Sequence, residues 1–418
     1  MAVGTTRSNE RDLQPVRTSW FTLFLAIAAG ALAAFQVGKV HIALPSIRQS
    51  FSLSLVSASW ILSALNIVGL LFATPTGTIA TTNGTKRAVV IGLLFVAVAS
   101  ACGGFAPNLL WLLVSRFIEG IGFVMIVVAA PSLIVGVTNS KNLRLALAGW
   151  SAYMPGGVAL ITILAPLILA HHSWRVVWWI NAVILLFVSL LMIFLAKKAP
   201  TPVQLKRSRL SPWEEFSCVI ASRGPVILAV IFGMYTMQHL SVMGFMPTLL
   251  HDRFHLPSGH IGLLVSIAMA SNILGNLAAG VLLQRGFSRE HIIAVASIFM
   301  ALMTVGMFIL QLPFSAFYAC AFAFSCVGGL VPSAVMGAAP FHTPSPSLLG
   351  ATNGLLVQGS NLGIVAGPPL MSLIATHLGW NWVPVMTGVS AVIAALLASN
   401  MRLTTHSNPA FVPARLAD

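Results

Sequence analysis

Two residues of opposite charge stand three positions apart inside a long apolar run: Arg116 and Glu119, in the stretch RFIEGIG at 116–122. On a helix, positions three apart share a face. A charge left unpaired at the centre of a bilayer costs roughly 2.5–3.5 kcal/mol on insertion scales, so such residues face a cavity and find partners. The pair has two readings. In one, Arg116 lines a cavity and either binds an anionic group or tunes Glu119 as a proton carrier. In the other, the two form a structural tie between helices. Lys39 lies in another apolar run, three residues after Gln36, so the two face one way. Lys39 either draws anions into a vestibule or snorkels its ammonium to the interface. His41, close by, is a side chain of the type that titrates near neutral pH.

A second group is polar without being charged. Tyr235, Gln238 and His239 cluster in one run, where His239 is either a protonation site or a hydrogen-bonded packing histidine. Asn272 and Asn276, four apart, and Gln358 and Asn361, three apart, read as polar glue between helices or as solute contacts. Pro155, Gly156 and Gly157 permit bending or close packing of a helix. His251 and His255 flank Asp252 at a metal-ligand spacing, but Leu256-Pro257 ends a helix there; His171-His172 is equally weak, and no metal site is expected. There is no phosphate-binding loop, nucleophile elbow, zinc-protease motif or dinucleotide fingerprint. No catalytic residue and no cofactor are expected, and work done by this chain must draw on a gradient.

The elements that position these residues follow from composition. The chain has 418 residues, 57% hydrophobic and 7% charged. Soluble domains carry roughly 25% charged residues, so this surface must face lipid. A net charge of +14 suggests nucleic acid, but the charges lie in short clusters between apolar runs, so no nucleic-acid partner is expected. The four cysteines form no CxxC pair and imply neither disulfides nor zinc. The first apolar run, from about Trp20, lacks a small-residue cleavage site and reads as a transmembrane helix.

Apolar runs long enough to span occur at 20–45, 54–81, 88–106, 109–137, 145–170, 174–196, 224–250, 258–284, 290–312, 314–338, 346–376 and 380–401. With the N-terminus placed inside, seventeen loop lysines and arginines lie inside and only Arg48, Arg175 and Arg253 outside. That bias puts both termini in the cytoplasm. The longest inside connection, 197–223, is rich in Lys, Arg and Pro and separates two sets of six spans. The expected organisation is a cytoplasmic N-terminal segment (1–19), a six-helix bundle (20–196), the linker (197–223), a second bundle (224–401) and a cytoplasmic tail (402–418). The halves share an offset: Gly77 and Gly280 are 203 apart, while Gly157 and Gly363, His171 and His377, and Trp174 and Trp380 are each 206 apart. A duplicated six-helix unit is a transporter plan, with the solute site between halves near the midplane.

These features carry a resemblance. The first span ends VHIALPSI (40–47), the second begins SASWILSALNI (57–67), the next loop reads GTIATTNGTKR (77–87), the fourth span holds RFIEGIG, and the fifth holds WSAYMPGGVAL (150–160). Over nearly its whole length the chain resembles the major facilitator superfamily, and the fifth-span motif is closer to its cyanate/nitroimidazole-type branch than to its classical drug antiporters. The resemblance implies a gating loop at Gly77, Gly84, Lys86 and Arg87, with a second-half copy, GVLLQRG, at Gly280 and Arg285. The family's acidic position holds Thr81 in the first copy and Gln284 in the second, so the resemblance does not extend to a charge-relay gate. Where proton-coupled multidrug members carry a first-span aspartate this chain has Gln36, which excludes coupling through that carboxylate.

The expectation is an all-α integral membrane protein of twelve transmembrane helices in two pseudo-symmetric bundles. It would act as a secondary transporter in a bacterial-type cytoplasmic membrane, working by alternating access as a monomer. Its partners would be the bilayer, a small-molecule substrate and protons as coupling ion. A small organic anion is favoured because Lys39 and Arg116 outnumber Glu119, and drug or metabolite efflux is the alternative. Outside this class stand a membrane-embedded enzyme, for which no convergent catalytic set is found, and a transporter-like receptor, which a tail of about 17 residues disfavours.

Overall fold

The computed structural model describes residues 18–82, 84–139, 142, 146, 149–150, 153–196, 211–345 and 348–401, with backbone alone for 74–82, 212 and 258. The described residues are helical apart from short turns and contain no strand. This is what a bilayer demands, because each backbone polar group must be satisfied within its own segment. In order, the helices are α1 (Trp20–Phe51), α2 (Leu55–Thr82), α3 (Thr85–Gly104), α4 (Leu109–Val137), α5 (Tyr153–Leu169), α6 (Trp174–Leu195), α7 (Pro212–Ile220) and α8 (Arg223–Phe254). They continue as α9 (Ser258–Gln284), α10 (Arg289–Phe308), α11 (Phe314–Gly328), α12 (Leu330–His342), α13 (Leu349–His377) and α14 (Val383–Asn400).

Ten of these, with α11 and α12 counted as one span, are long and apolar enough to cross a membrane. The other two of the twelve expected spans are α5, apolar but 17 residues long as described, and α13, 29 residues long and carrying Asn353, Gln358, Ser360 and Asn361. Large apolar side chains such as Phe194, Val183, Leu277 and Leu396 stand outward, as lipid-facing positions require.

The halves repeat each other in detail. The helices α1 and α8 are both 32 residues long and both end on a left-handed residue, Ser52 (φ 52°) and His255 (φ 51°). Each carries a proline shortly before that end, Pro45 and Pro247. In the first half Gly157 of α5 packs against the Ala31 carbonyl of α1; in the second, Gly363 of α13 packs against the Gly233 carbonyl of α8. Neither site has room for a Cβ, so glycine is required for the helices to approach this closely. The halves meet along two seams. Helix α2 lies on α13, joined by Ser59–Ser372 (3.1 Å), Ser63 to the Ile364 carbonyl (3.3 Å) and Gln358 to the Leu70 carbonyl (3.1 Å). Helix α5 lies on α9, where Ser266 reaches the Ala159 carbonyl (3.2 Å).

Several expectations need correction. The loop expected from Gly77 is helical through Thr82, while Gly280 lies within α9, as the span 258–284 implies. The turns themselves are at Gly84 (φ 94°) and Gly286 (φ 88°), where a left-handed backbone favours glycine. The tenth span is interrupted at Gly329: Pro332 has no N–H for the Gly328 carbonyl, and Gly329 packs against the Asn272 carbonyl of α9. The first span does not stop at 45 but continues through Pro45 to Phe51. In the linker, α7 is a helix the sequence reading lacked. Ser211 and Glu214 form a reciprocal capping box there, and hydrogen bonds from the Ser211 backbone and side chain hold the Glu214 carboxyl below its usual range. Val219 of α7 packs on Leu348 and Ala351, while Trp213 is 74% exposed. The basic residues at 197–210 lie outside the described residues, as do those of the two termini and Lys141 and Arg144.

Candidate functional site

The charged residues of the first half converge. Lys39 on α1, Arg116 and Glu119 on α4 are 0%, 1% and 0% exposed. Lys39 Nζ donates to Glu119 Oε1 (2.7 Å) and to Ser100 Oγ of α3 (2.9 Å), and it stands 4.4 Å from the ring centre of Trp178 on α6. Its three protons thus have a carboxylate, a hydroxyl and an aromatic face. Arg116 Nη1 donates to Glu119 Oε2, and Arg116 Nε reaches the Ile61 carbonyl of α2 (3.4 Å). Ser100 Oγ in turn donates a hydrogen bond to the Trp178 carbonyl (3.0 Å). One carboxylate therefore serves two cations, and with all three groups ionised the cluster carries one net positive charge. Five helices contribute to it. Burying such charges costs several kcal/mol each unless geometry and hydrogen bonds compensate, and here every charged group has partners.

This geometry decides between the sequence readings in part. Arg116 and Glu119 are indeed paired, but as two members of a three-residue cluster. Lys39 neither snorkels nor lines an open vestibule, because it is sealed beneath α1 by α3, α4 and α6. Gln36, on the same helix, spends its amide N–H on the Leu32 carbonyl (3.0 Å) and leaves Oε1 buried without a partner. His41 is buried where α1 meets α8: its ring lies 3.6 Å from the Cβ position of Gly244.

The second half holds an uncharged counterpart. His239 of α8 faces Ser325 Oγ of α11 (3.2 Å) and stacks between Tyr235 (5.4 Å) and Phe324 (5.9 Å). Asn272 of α9 donates to the Tyr235 hydroxyl (3.1 Å) and the Ser325 carbonyl (3.0 Å). Asn276 donates to Asn272 Oδ1 (2.9 Å) and accepts from Ser333 of α12 (2.9 Å). Gln238 turns back to the Met234 carbonyl (3.3 Å), and His239 Nδ1 and Gln238 Oε1 are buried without partners.

The remaining predicted residues are scattered. Gln358 is in the α2–α13 seam, and Asn361 bonds the Val357 carbonyl (2.9 Å) beside Gly69. Lys86 caps the end of α6 through the carbonyls of Ile193 (3.0 Å) and Ala196 (2.6 Å), so it ties two helices of one half. Arg87 and Arg285 are exposed. Of the proline–glycine motif, Gly157 makes the close contact, Gly156 faces open space and Pro155 lies in the first turn of α5 as described. His251 is on α8 while His255 is past its end, so they share no helical face, and no cluster of three metal-binding side chains occurs among the described residues. Sequence reading missed Ser100 and Trp178, the partners of Lys39, and Ser325, the partner of His239. Serines and tryptophans in apolar runs carry no signal of their own.

A duplicated helical unit whose halves meet along two seams is a known transporter plan. Solved structures agree on the fold. A bacterial homolog to the human lysosomal transporter Spinster, in an inward-facing and unoccupied conformation, superposes with a TM-score of 0.78 over 93% of this chain and 98% of that one, at 13% identity. The nucleoside transporter NupG superposes with a TM-score of 0.74 over 92% and 99%, at 14% identity. Among curated proteins, the lincomycin resistance protein of Streptomyces lincolnensis is 28% identical over 218 residues, 52% of this chain and 44% of that protein. The methyl viologen resistance protein SmvA of Salmonella typhimurium is 27% identical over 173 residues (40% and 34%). The multidrug efflux pump LfrA of Mycolicibacterium smegmatis is 29% identical over 169 residues (40% and 34%). The chain thus spans less than half the length of these curated relatives. The family model described as Major Facilitator Superfamily matches residues 21–355 and 241–416, and with the fold and the repeated halves it shows that this chain is a multi-pass membrane transporter belonging to that superfamily.

Proposed function

We propose that the chain exports organic solutes in exchange for protons, and that the Lys39–Glu119 pair, held by Arg116, is the group that exchanges the proton. The observation that carries this reading is the shared carboxylate. The chain has eight acidic residues, and Glu119 alone lies deep within a span; the others are in termini, the linker or helix ends. An arginine keeps its proton in a protein, so a proton exchanged within the cluster belongs to Lys39 or Glu119. Losing one proton takes the cluster from +1 to zero, and gaining one takes it to +2. Either change alters the attraction that binds α1 to α4, and a conformational equilibrium shifts by the difference in free energy between its states. Two bundles rocking about their seams would then expose the cluster to one side at a time. The resistance and efflux relatives support export and organic, drug-like solutes. The positive-inside count supports both termini in the cytoplasm of a bacterial cell membrane, and the self-contained packing of the two halves supports a monomer.

A second reading rests on the excess cation. A small organic anion that enters the bundle and competes with Glu119 for Lys39 and Arg116 would be a substrate, and the direction would then be set by its gradient. Proteoliposomes with an imposed pH gradient separate the two. The proposal expects gradient-driven movement of methyl viologen or lincomycin that is lost in Glu119→Gln and Lys39→Met. Movement of small carboxylates alone would favour the anion reading, and drug transport at wild-type rates in both variants would refute the proton role.

A further inference from the structure

A vestibule of about 540 Å³ opens between the halves where α1 and α8 end. Both walls are shaped by prolines. Pro45 and Pro247 line it, and each deprives the carbonyl four residues earlier, on His41 and Met243, of its helical N–H donor. Next to them, Ser46 and Thr248 present hydroxyls. Thr248 is 2% exposed, and its hydroxyl has no hydrogen-bond partner. Arg48, from the α1 wall, has a buried Nε that is likewise without a partner. Asp252, from the α8 wall, pairs only with the neighbouring His251 (2.9 Å), and no ion pair joins Arg48 to Asp252 among the described residues. A cation, partly buried, and an anion, largely exposed and bonded to His251, thus line one cavity from opposite halves without pairing with each other.

The geometry points to a binding site for a small amphoteric molecule, whose carboxylate is received by Arg48 and the Thr248 hydroxyl and whose ammonium is received by Asp252. An acid lacks the ammonium that Asp252 would receive and an amine lacks the carboxylate that Arg48 would receive, so a molecule with a single charge makes only part of these contacts. A guanidinium and a hydroxyl suit a carboxylate, and the Asp252 carboxylate suits an ammonium. Because the walls belong to different halves, the ligand bridges them and stabilises the arrangement in which α1 and α8 meet. The site shares no residue with the Lys39–Glu119–Arg116 cluster, so it stands or falls separately from the proposed function.

The test uses the purified full-length chain in detergent and the series of ω-amino acids from glycine to 6-aminohexanoate, with butanoate and butylamine as single-charge controls. At least one member of the series is expected to raise the melting temperature by several degrees at millimolar concentration, while the controls do not. Arg48→Gln and Asp252→Asn should each weaken that binding at least about tenfold while leaving the unliganded melting temperature unchanged. Thr248→Val should weaken it less. Exchanging the charges in the double variant Arg48→Asp with Asp252→Arg should restore part of the binding, which a merely structural role would not do. No stabilisation by any member, equal stabilisation by butanoate or butylamine, or unchanged binding in both single variants would each overturn the assignment.

Discussion

The first and fourth spans of each half build different interiors from the same scaffold. In the first half, α1 and α4 enclose Lys39, Arg116 and Glu119 around one carboxylate. In the second half, α8 and α11 enclose His239, Tyr235, Phe324 and Ser325, with Asn272 from α9 joining them, and no formal charge. The backbone placement is shared, as the matching left-handed helix ends and the Gly157 and Gly363 contacts attest. The chemistry is therefore free to diverge, and it has divided into a half that stores charge and a half that holds dipoles and rings. The two respond differently to loss of one member. Removing one charge of an interlocked set leaves its partners buried and uncompensated, whereas removing one dipole leaves at most a donor or an acceptor unmet.

The largest effect is therefore expected at Glu119. Glu119→Gln leaves Lys39 and Arg116 facing each other as two buried cations, and it should destabilise the detergent-solubilised chain by about 3–5 kcal/mol, read as a lowered melting temperature, and abolish gradient-driven transport. Lys39→Met should cost less, about 1–3 kcal/mol, because the neutral Arg116–Glu119 pair survives and only the Lys39 contacts to Glu119, Ser100 and Trp178 are lost. If Lys39→Met proves the more damaging, the shared-carboxylate view of the cluster is wrong. In the second half, Asn272→Leu should cost about 1–2 kcal/mol by stranding the Tyr235 hydroxyl, and it should alter the range of solutes moved more than the pH dependence of transport. A shift of the pH profile in that variant would blur the distinction between halves. The smallest effect is expected in the seam: Gln358→Leu should change stability by no more than about 1 kcal/mol, and its signature is a changed transport rate, since the bond from Gln358 to the Leu70 carbonyl crosses between halves.

Much of the architecture was legible in the sequence because lipid imposes it. Apolar runs of about 20 residues and an offset near half the length point to twelve spans in two sets. The superfamily was legible from short stretches that fall in the right spans, and the matching family model and solved folds agree; the relatives above do not bear on its cyanate/nitroimidazole-type branch. The site was legible only in its members. Arg116 and Glu119 declared themselves by spacing on one helix, but Lys39 meets Glu119 across 80 positions of sequence, and helix rotation decides whether a lysine near a span end reaches outward to water or inward to a carboxylate. Here it turns inward, and hydropathy carries no such information. The gating loop misled in the opposite sense: the stretch from Gly77 reads as loop, yet the helix continues to Thr82, because a single glycine costs a helix only about 1 kcal/mol. The linker helix α7 was legible in principle from Ser211 and Glu214, a capping box three residues apart.

The central claim is that the Lys39–Glu119 pair, and no other group, exchanges the proton. Purified protein in lightly buffered detergent, mixed with a transported solute, releases or takes up protons in a way that a pH indicator dye counts. For the wild type the account predicts about one proton per molecule on solute binding, and none for Lys39→Met or Glu119→Gln, with His239→Gln behaving as the wild type. Proton release that persists in both cluster variants and disappears in His239→Gln would contradict it and move the coupling to the second half.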